Sequence, residues 1–319
     1  MNQPLVSVVM PTYNQAPFIE EAIKSVLSQT YRHIELIIID NFSTDNTRQI
    51  VESFVDPRVR YQPFANQGII AASRNLGIKQ AKGEYVAFID SDDVWFENKL
   101  RLQIDAFNED PEIGLVSCLF VVKGAGGDGK ILGPKERGIR GHLYDQLLNS
   151  NFIVGSSVVV KGSVFGELGY FDESSELRCV EDFDLWLRIA RSKKVVFIPE
   201  IQGIYRLHAL NANVEESRLE KALRVIDKHY AHGWTTKQRA DRAKANFYFR
   251  EGWFLIGRDN KRARSYFKRA LGLGSRSARL ILLSMFGLTL SVLPWLYRFI
   301  RRRNLDRKIN HKILNPQNL

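Results

Sequence analysis

Residues 85–93 read YVAFIDSDD, a run of five apolar residues that ends directly in three closely spaced aspartates. A short apolar run of this kind is typical of a strand that is buried on both faces of a sheet. Carboxylates that follow such a strand lie at the carboxyl edge of the sheet, where open α/β proteins bind their ligands. The stretch therefore predicts one strand of a buried sheet and a polar site at its rim.

The same pattern recurs on the N-terminal side of this stretch. Apolar runs at Leu5–Met10 and Ile34–Ile39 predict two further buried strands. The segments between the strands have helical spacing and are predicted as helices over residues 18–27, 45–54 and 71–80. Alternation of strands and helices at this spacing predicts an α/β fold with a mainly parallel sheet flanked by helices on both faces.

The alternation loosens beyond residue 110. Shorter elements are expected there, namely a hairpin tip or flap at Gly124–Gly133, strands at Val158–Val160 and Val195–Ile198, and a helix over Phe183–Ala190. From Glu215 to Leu273 the pattern is helical throughout, and residues 245–273 resemble one tetratricopeptide-type helical hairpin without a second copy. The chain is thus predicted to carry an α-helical C-terminal extension.

Composition narrows the class of protein. A length of 319 residues suits an α/β domain with an appendage, and 45% hydrophobic with 25% charged residues excludes a disordered chain. The two cysteines, Cys118 and Cys179, have neither metal-ligand nor redox-motif spacing, which disfavours a disulfide scaffold and indicates a reducing compartment. The first apolar run lacks a basic flank and is too short for a signal peptide, so a cytoplasmic location is expected.

The C-terminal segment has a different character. Leu280–Tyr297 holds 18 residues without a charge, preceded by Arg279 and followed by a cluster of arginines. A membrane-spanning helix needs ~20 apolar residues, so the segment is either a membrane-inserted or interfacial helix or a buried helix of a soluble fold. Trp295 and Tyr297 beside the arginines favour the membrane, because these side chains prefer the headgroup boundary.

The formal net charge of +11 is confined to this end of the chain. Residues 261–319 carry 14 lysines and arginines against one acidic residue, Asp306, whereas residues 1–260 carry 32 basic and 34 acidic residues. A nucleic-acid-binding module would interleave basic and aromatic residues across the fold, so we expect no nucleic-acid partner. The distribution indicates a basic tail that contacts anionic lipid beside a nearly neutral body.

Three acidic clusters follow or open predicted elements. Asp40 ends the second strand, Asp90, Asp92 and Asp93 end the third, and Glu181–Asp182 opens a helical segment. Carboxylates packed together repel unless a cation lies among them, and D-x-D oxygens suit Mg²⁺ or Mn²⁺. Each cluster also has a structural alternative: a helix cap for Asp92 or Asp93, a turn for Asp40, and an acidic first helical turn for Glu181–Asp182.

The order of the motifs resembles that of the family 2 glycosyltransferases with the A-type nucleotide-diphospho-sugar fold. The resemblance covers roughly residues 5–230 and rests on several motifs, namely PTYN at Pro11–Asn14, Asp40–Thr47, GxxxAxRNxG at Gly68–Gly77, FIDSDD at Phe88–Asp93, GYFD at Gly169–Asp172, EDFDLWLR at Glu181–Arg188 and YRLH at Tyr205–His208. It implies an inverting transfer of a sugar from a nucleotide-diphosphate donor to a hydroxyl of a glycan or lipid-linked acceptor.

The resemblance also implies the residues of the donor site. Those expected at the nucleotide are Pro11, Thr12, Tyr13, Asn14, Asp40, Asn41, Arg74, Asp90, Ser91 and Arg206. Asp90, Asp92 and His208 are expected at a Mn²⁺ or Mg²⁺ ion on the diphosphate. The chain departs from the family at Asn41, where a second Asp is common. An amide oxygen can still accept a uracil N–H, though without charge assistance, so UDP stays favoured on weaker grounds.

The resemblance places catalysis at the acidic pair that opens the helical segment Glu181–Arg188. Asp182 is the expected general base, which takes the proton of the acceptor hydroxyl as that hydroxyl attacks the anomeric carbon. Glu181 is expected to orient the acceptor or to support the base. The alternative is a nucleotidyltransferase of similar sheet, but the glycine-rich loop typical of that class is replaced by PTYNQ after the first strand. A dinucleotide-dependent reductase is disfavoured because no GxGxxG follows that strand.

These interpretations divide the chain into three predicted parts. Residues 1–212 form a nucleotide-sugar-binding catalytic domain, 213–274 a helical extension, and 275–319 a basic apolar tail that associates with a membrane. The protein is expected to be cytoplasmic, peripheral or tail-anchored at the inner face of the membrane. The sequence leaves the donor sugar, the acceptor and the oligomeric state open.

Overall fold

The computed structural model describes residues 3–124, 127–134, 138–208, 218–273 and 278–292. The chain divides into two compact units, Met1–Tyr144 with Phe152–Glu215 and Asp145–Asn151 with Glu216–Leu319. No structural measurement bears on the three predicted functional parts, so those boundaries stay predictions.

The first unit is built on one ten-stranded sheet. Its strands are β1 (Val6–Thr12), β2 (Ile34–Asp40), β3 (Val59–Pro63), β4 (Tyr85–Phe88), β5 (Val94–Trp95), β6 (Ile113–Gly124), β7 (Ile131–Leu132), β8 (Arg140–Gly141), β9 (Val159–Lys161) and β10 (Lys194–Leu207). The order across the sheet is β3-β2-β1-β4-β9-β6-β10-β5, with β7 beside β6 and β8 beside β10. Strands β3, β2, β1 and β4 are mutually parallel, as are β6 and β10.

Helices flank this sheet and make up most of the second unit. Those of the first unit are α1 (Ile19–Leu27), α2 (Thr47–Glu52), α3 (Ile70–Gln80), α4 (Lys99–Phe107), α6 (Ser163–Leu168) and α7 (Glu181–Ser192). Those of the second are α5 (Tyr144–Asn149), α8 (Arg218–Ala231), α9 (Lys237–Leu255), α10 (Asn260–Gly272) and α11 (Ala278–Val292). The predicted fold class, a mainly parallel sheet flanked by helices with a helical C-terminal region, is confirmed.

The register of the central strands positions the rim of the sheet. β1 and β2 are buried along their whole length, and Thr12 at the end of β1 pairs with Asp40 at the end of β2. Helix α3 lies close against β1, since a Cβ added at Gly77 would come within 2.4 Å of Val9 Cγ1. The carboxyl ends of the parallel strands therefore meet at one edge, as the sequence predicts.

Several elements were not predicted. β3 escapes a hydrophobicity pattern because it is a partly exposed edge strand with the sequence VRYQP. β10 is much longer than the predicted Val195–Ile198, because it continues through register shifts beyond Pro199 and Glu200 that interrupt its apolar pattern. The hairpin at Gly124–Gly133 is confirmed for its described residues, since β7 pairs antiparallel with β6.

The second unit has its own core. Phe249 and Trp253 of α9 pack edge-on against Phe267 of α10, at ring-centroid distances of 6.2 and 6.0 Å. α9 and α10 form the antiparallel pair expected over residues 245–273. Among the described residues, no helix is both long and apolar enough to cross a membrane. α11 covers part of the predicted apolar segment, while residues 293–319, with Trp295, Tyr297 and the arginine cluster, lie outside the described residues.

A buried lysine in the first unit supplies a test of the core. Lys99 is fully buried, donates to Gln103 Oε1 at 2.7 Å, and lies 3.9 Å from the centre of the Trp95 ring. Burial lowers the pKa of Lys99 to about 8, whereas the unfolded side chain keeps its proton to much higher pH. The folded state therefore loses stability as the pH falls from ~10 to ~8, and the full loss persists at pH ~7.

We expect Lys99→Met to raise the free energy of unfolding relative to the wild type, by about 2 kcal/mol more at pH ~7 than at pH ~10. Urea unfolding of both proteins at the two pH values measures this difference. Lys79→Met is the matched control, because the exposed Lys79 also lies beside an aromatic ring, that of Tyr170. An equal effect of Lys99→Met at both pH values would show that the lysine is not destabilised by burial.

Candidate active site

A cleft of about 300 Å³ opens at the carboxyl edge of β1, β2 and β4. Seven of the predicted site residues line it, namely Pro11, Thr12, Tyr13, Asn41, Asp90, Ser91 and Asp92. Five further residues line it that were not predicted, namely Gln15, Asn66, Gly68, Ile70 and Arg178. The cleft thus gathers loops that are far apart in the chain, and its volume lies at the lower end of the range for small-molecule sites.

Two polar atoms in this cleft lack partners. Thr12 Oγ1 and Gln15 Oε1 are buried without a hydrogen-bond partner among the described residues. Buried polar atoms of folded proteins are nearly always hydrogen-bonded, so such atoms in a cleft point to a polar ligand. Tyr13 lies at the mouth with its side chain half exposed, where its ring can pack on a planar group.

Asp40 lies next to the cleft and is already engaged. Its carboxylate accepts hydrogen bonds from the Ser43 hydroxyl and the Tyr61 hydroxyl, both at 2.6 Å, and from the Ser43 backbone N–H. Removal from water raises the pKa of Tyr61, and the neighbouring Asp40 raises it further. The turn interpretation of Asp40 is thus confirmed by geometry, and direct contact of Asp40 with a nucleoside stays a prediction.

The two asparagines of the predicted nucleotide site hold loops together. Asn41 Oδ1 accepts the backbone N–H of Asn66 at 3.0 Å, so the oxygen expected to meet a base N–H already has one donor. Asn14 has a positive φ of 51°, and its Oδ1 accepts the backbone N–H of Thr44 at 2.8 Å. Asn14 is not among the residues that line the cleft and acts as a loop connector in the structure.

Arg74 contacts two carboxylates of the site. Its guanidinium is buried and donates to Asp90 Oδ1 at 2.8 Å and to Glu181 Oε1 at 2.6 Å. Burial lowers the pKa of Arg74, but the nearby carboxylates outweigh burial and raise it. Arg74 joins the end of β4 to the start of α7, because two converging carboxylates need a cation between them. Contact of Arg74 with the base or diphosphate stays a prediction.

Asp92, which lines the cleft, contacts His208. His208 Nε2 lies 2.9 Å from Asp92 Oδ2, and the imidazole stacks on Phe18 at 4.5 Å between ring centres. Burial raises the pKa of Asp92, as does the nearby Asp90, while the contact with His208 lowers it. The helix-cap alternative for Asp92 and Asp93 is wrong, because α4 begins only at Lys99.

Asp93 has a purely internal role in the structure. It is fully buried, accepts the hydroxyl of Ser156 at 2.5 Å, and accepts the backbone N–H of Arg206 at 3.0 Å. This contact ties the end of β4 to β10 and so brings His208 to Asp92. The side chain of Arg206 was predicted at the nucleotide, but it pairs with Glu21 and lies over the Phe18 ring, away from the residues that line the cleft.

The acidic pair at the start of α7 lies beside Arg74. Glu181 is buried, and while its Oε1 accepts from Arg74, its Oε2 has no hydrogen-bond partner among the described residues. Asp182 is partly exposed and accepts the backbone N–H of Phe183 at 2.7 Å. Burial and the charge of Glu181 raise the pKa of Asp182 to about 7, against the lowering effect of Arg74. A carboxylate in this state can exchange a proton near neutral pH.

A divalent cation fits the chemistry of Asp92 and His208. A carboxylate and an imidazole are both ligands of Mn²⁺, and Mg²⁺ is commonly held by one or two carboxylates together with substrate phosphates. His208 Nδ1 is buried without a hydrogen-bond partner among the described residues, so this second ring nitrogen is also a candidate ligand. Three or more clustered potential ligands occur nowhere in the part of the chain that the structure describes, so phosphate oxygens would have to complete such a site.

Arg178 is the basic residue that the sequence interpretation missed. It lies four positions before Asp182, and a Cβ added at Gly68 would come within 3.6 Å of both its terminal nitrogens. Gly68 has a φ of +76° and its N–H donates to Asn66 Oδ1, so the loop across the cleft is shaped to receive the guanidinium. The following residue, Cys179, has a positive φ of 72°, and no sequence pattern signals this turn.

Several known proteins are similar to this chain in sequence. A model of the family described as Glycosyl transferase family 2 matches residues 7–160. An uncharacterized glycosyltransferase of Rickettsia typhi is 32% identical over 68% of this chain and 69% of its own length. The Escherichia coli protein named UDP-Glc:alpha-D-GlcNAc-diphosphoundecaprenol beta-1,3-glucosyltransferase WfgD is 31% identical over 61% of this chain and 73% of its own length.

Solved structures share the fold at lower identity. TarS 1–349 of S. aureus in complex with UDP-GlcNAc matches 92% of this chain and 91% of its own, with a TM-score of 0.66 and 17% identity. A longer TarS chain is matched over 53% of its own length. The mannosyltransferase PcManGT from Pyrobaculum calidifontis, in complex with GDP-Man and Mn²⁺, matches 91% of this chain and 81% of its own, with a TM-score of 0.60 and 21% identity.

Proposed function

The chain belongs to the family 2 glycosyltransferases and has their A-type fold, and from this premise we propose that it inverts the anomeric carbon of a nucleotide-diphosphate sugar. The donor is a UDP-sugar, and the acceptor is a hydroxyl of a glycan or lipid-linked glycan. The observation that carries the proposal is the bridge of Arg74 between Asp90 in the donor cleft and Glu181 beside Asp182. This bridge supports Asp182 as the general base, because it links the acidic pair to the cleft proposed for the donor.

The donor is bound along the edge of β1, β2 and β4. The nucleoside is received by Tyr13 and by two buried oxygens, Thr12 Oγ1 and Gln15 Oε1, that have no hydrogen-bond partner among the described residues. Two similar proteins favour this class of donor, since WfgD is named for UDP-Glc and TarS was solved with UDP-GlcNAc. PcManGT was solved with GDP-Man, so a guanine nucleotide is the competing choice of nucleobase.

We expect the diphosphate in the part of the cleft that Asp92 and Arg178 line. Asp92 and His208 would hold a Mn²⁺ or Mg²⁺ ion, with Asp90 nearby but paired to Arg74. When bound, such an ion supplies positive charge that stabilises the departing diphosphate. Arg178 supplies a second positive charge from the chain itself, in a fork geometry suited to phosphate oxygens.

Transfer is a single displacement at the anomeric carbon. The acceptor oxygen forms a bond to that carbon while the bond to the diphosphate oxygen breaks, and Asp182 takes the hydroxyl proton. Glu181 Oε2, which has no hydrogen-bond partner among the described residues, can accept a second hydroxyl of the acceptor and so orient it. No enzyme carboxylate forms a covalent bond to the sugar, which accounts for inversion.

The protein works at the inner face of a membrane in this proposal. Residues 1–212 are the catalytic domain, 213–274 the helical extension, and 275–319 the basic apolar tail that contacts lipid. The support is the concentration of positive charge after residue 260 and the diphosphoundecaprenol acceptor in the name of WfgD. No observation favours the nucleotidyltransferase alternative.

A donor screen tests the proposed reaction. We expect UDP-sugars with Mn²⁺ to raise the melting temperature of the purified protein by several degrees, and GDP- and dTDP-sugars to raise it less, because ligands that bind only the folded state stabilise it. Differential scanning fluorimetry with each donor, with and without Mn²⁺, measures this. Stabilisation by none of the three nucleotide sugars would contradict a nucleotide-sugar site, and preference for GDP or dTDP would contradict the UDP assignment alone.

A further inference from the structure

Helix α11 presents its large apolar side chains outward. Leu282, Met285 and Phe286 are exposed by 66%, 54% and 37%, and Thr289 is exposed beside them. Spacings of three and four residues place these side chains on one face of the helix. A helix that faces water carries its polar residues there, so this face is unusual for a surface helix.

The opposite face of α11 packs on the protein through small residues and leucines. Ser284, Gly287, Leu290 and Ser291 are buried, and a Cβ added at Gly287 would come within 2.4 Å of Phe267 Cζ. Ser284 Oγ is buried and has no hydrogen-bond partner among the described residues. Large apolar side chains therefore lie on both faces of α11, as in a helix whose surroundings are apolar on all sides.

The outward face is continuous with the aromatic core of the second unit. Phe286 packs on Trp253 of α9 with ring centres 6.1 Å apart. Its neighbour Phe254 is half exposed, and the guanidinium carbon of Arg258 lies 4.1 Å from the centre of the Phe254 ring. Pairs of an exposed aromatic and a cation suit a boundary between an apolar layer and charged groups.

The positive charge around α11 indicates which kind of partner binds its outward apolar face. Residues 260–292 contain seven lysines and arginines and no acidic residue, and four of these, Lys261, Arg262, Lys268 and Arg269, are exposed on α10. A second copy of the chain would bring an equal set of positive charges to the same interface, which opposes such a dimer. Anionic lipid meets both requirements, because its phosphates attract cations and its acyl chains accept apolar side chains.

We propose that the outward face of α11, defined by Leu282, Met285, Phe286 and Thr289, binds an anionic phospholipid surface, with the helix lying along the membrane. The opposite face stays packed on the protein, so the helix enters the lipid on one side only. This decides between the two membrane arrangements left open by the sequence. The proposal deepens the lipid contact of residues 275–319 and rests on that part of the proposed function, whereas its test is separate from the transfer reaction because lipid binding is measured without donor.

The test uses the full-length chain with Leu282→Glu and Met285→Glu combined. Sedimentation with vesicles of phosphatidylcholine mixed with phosphatidylglycerol measures the partition coefficient, and vesicles of phosphatidylcholine alone measure the share due to charge. We expect the double variant to partition at least ~10-fold more weakly than the wild type, because two charges replace apolar side chains at the lipid. Both positions are exposed, so melting temperature and donor-induced stabilisation should stay at wild-type values.

The matched control is Val55→Glu with Ile131→Glu, two exposed apolar residues of the first unit. It should partition as the wild type does. Wild-type partitioning by the α11 double variant would overturn the proposal. So would a wild type that ignores the mixed vesicles, or one that forms dimers in light scattering which the double variant abolishes.

Discussion

Asp182→Asn should lower the rate of sugar transfer by about 10³-fold while changing donor affinity by no more than about twofold. The amide keeps the size of the side chain and its contact with the Phe183 N–H, but it cannot take the proton of the acceptor hydroxyl. Steady-state kinetics gives the loss in kcat, and calorimetry with the unreacted nucleotide gives the donor affinity. Equal losses in both quantities would assign Asp182 to donor binding instead.

Glu176→Gln is the control for this variant. Glu176 is an exposed carboxylate six residues earlier, in the loop that leads into α7, so removing its charge should leave transfer unchanged. A comparable loss in both variants would indicate a general effect of charge in this loop.

The pH dependence of the wild type follows from the same residue. The groups that face Asp182 are Glu181 and Asp90, which raise its pKa with burial, and Arg74, which lowers it, and the result is about 7. Because a base must be deprotonated, kcat/KM should fall about tenfold per pH unit below that value and level off above it. Asp182→Asn should abolish this dependence along with most of the activity.

Stability should change in the opposite direction from activity. The unfolded Asp loses its proton near pH ~3.9, so the folded state binds that proton more tightly and loses stability as the pH rises from there to about 7. Asp182→Asn removes this loss and should raise the free energy of unfolding at pH ~8, on the order of 2 kcal/mol. Urea unfolding at pH ~8 and pH ~4 measures it, and the gain should nearly vanish at the lower pH.

Asp92→Ala should make donor binding independent of divalent metal and lower transfer by about 10²-fold or more. The reason is that Asp92 lines the cleft and contacts His208, a second potential metal ligand, whereas Asp90 is paired with Arg74. Titration of donor affinity against Mn²⁺ measures the effect. In the wild type the affinity should rise with metal, and in the variant it should stay low and flat.

Asp105→Ala is the control, since Asp105 is an exposed aspartate of α4. It should reproduce the wild-type metal titration. A metal titration of Asp92→Ala that matches the wild type would remove Asp92 from the metal site.

The elements that were predicted correctly are those whose signal is local. β1, β2 and β4 are short apolar runs bounded by polar residues, and such a run needs no distant partner to be recognised. β3 was missed because an edge strand is only half covered and has no continuous apolar run. Seven cleft residues were predicted from the family resemblance, and they meet because they end or follow these strands and the ends of parallel strands share one edge.

The sequence by itself determined the fold class, the family, and the strand ends at which polar residues gather, since each follows from residues that are neighbours in the chain. Only the tertiary structure decided what each side chain meets. Arg74 is 107 residues from Glu181, and its pairing there and with Asp90 makes it a bridge between β4 and α7. Arg178 lines the cleft beside a turn that no pattern signals, and the face of α11 that holds Gly287 is packed closely on Phe267. Such outcomes depend on distances between remote segments, and a local pattern carries no information about those distances.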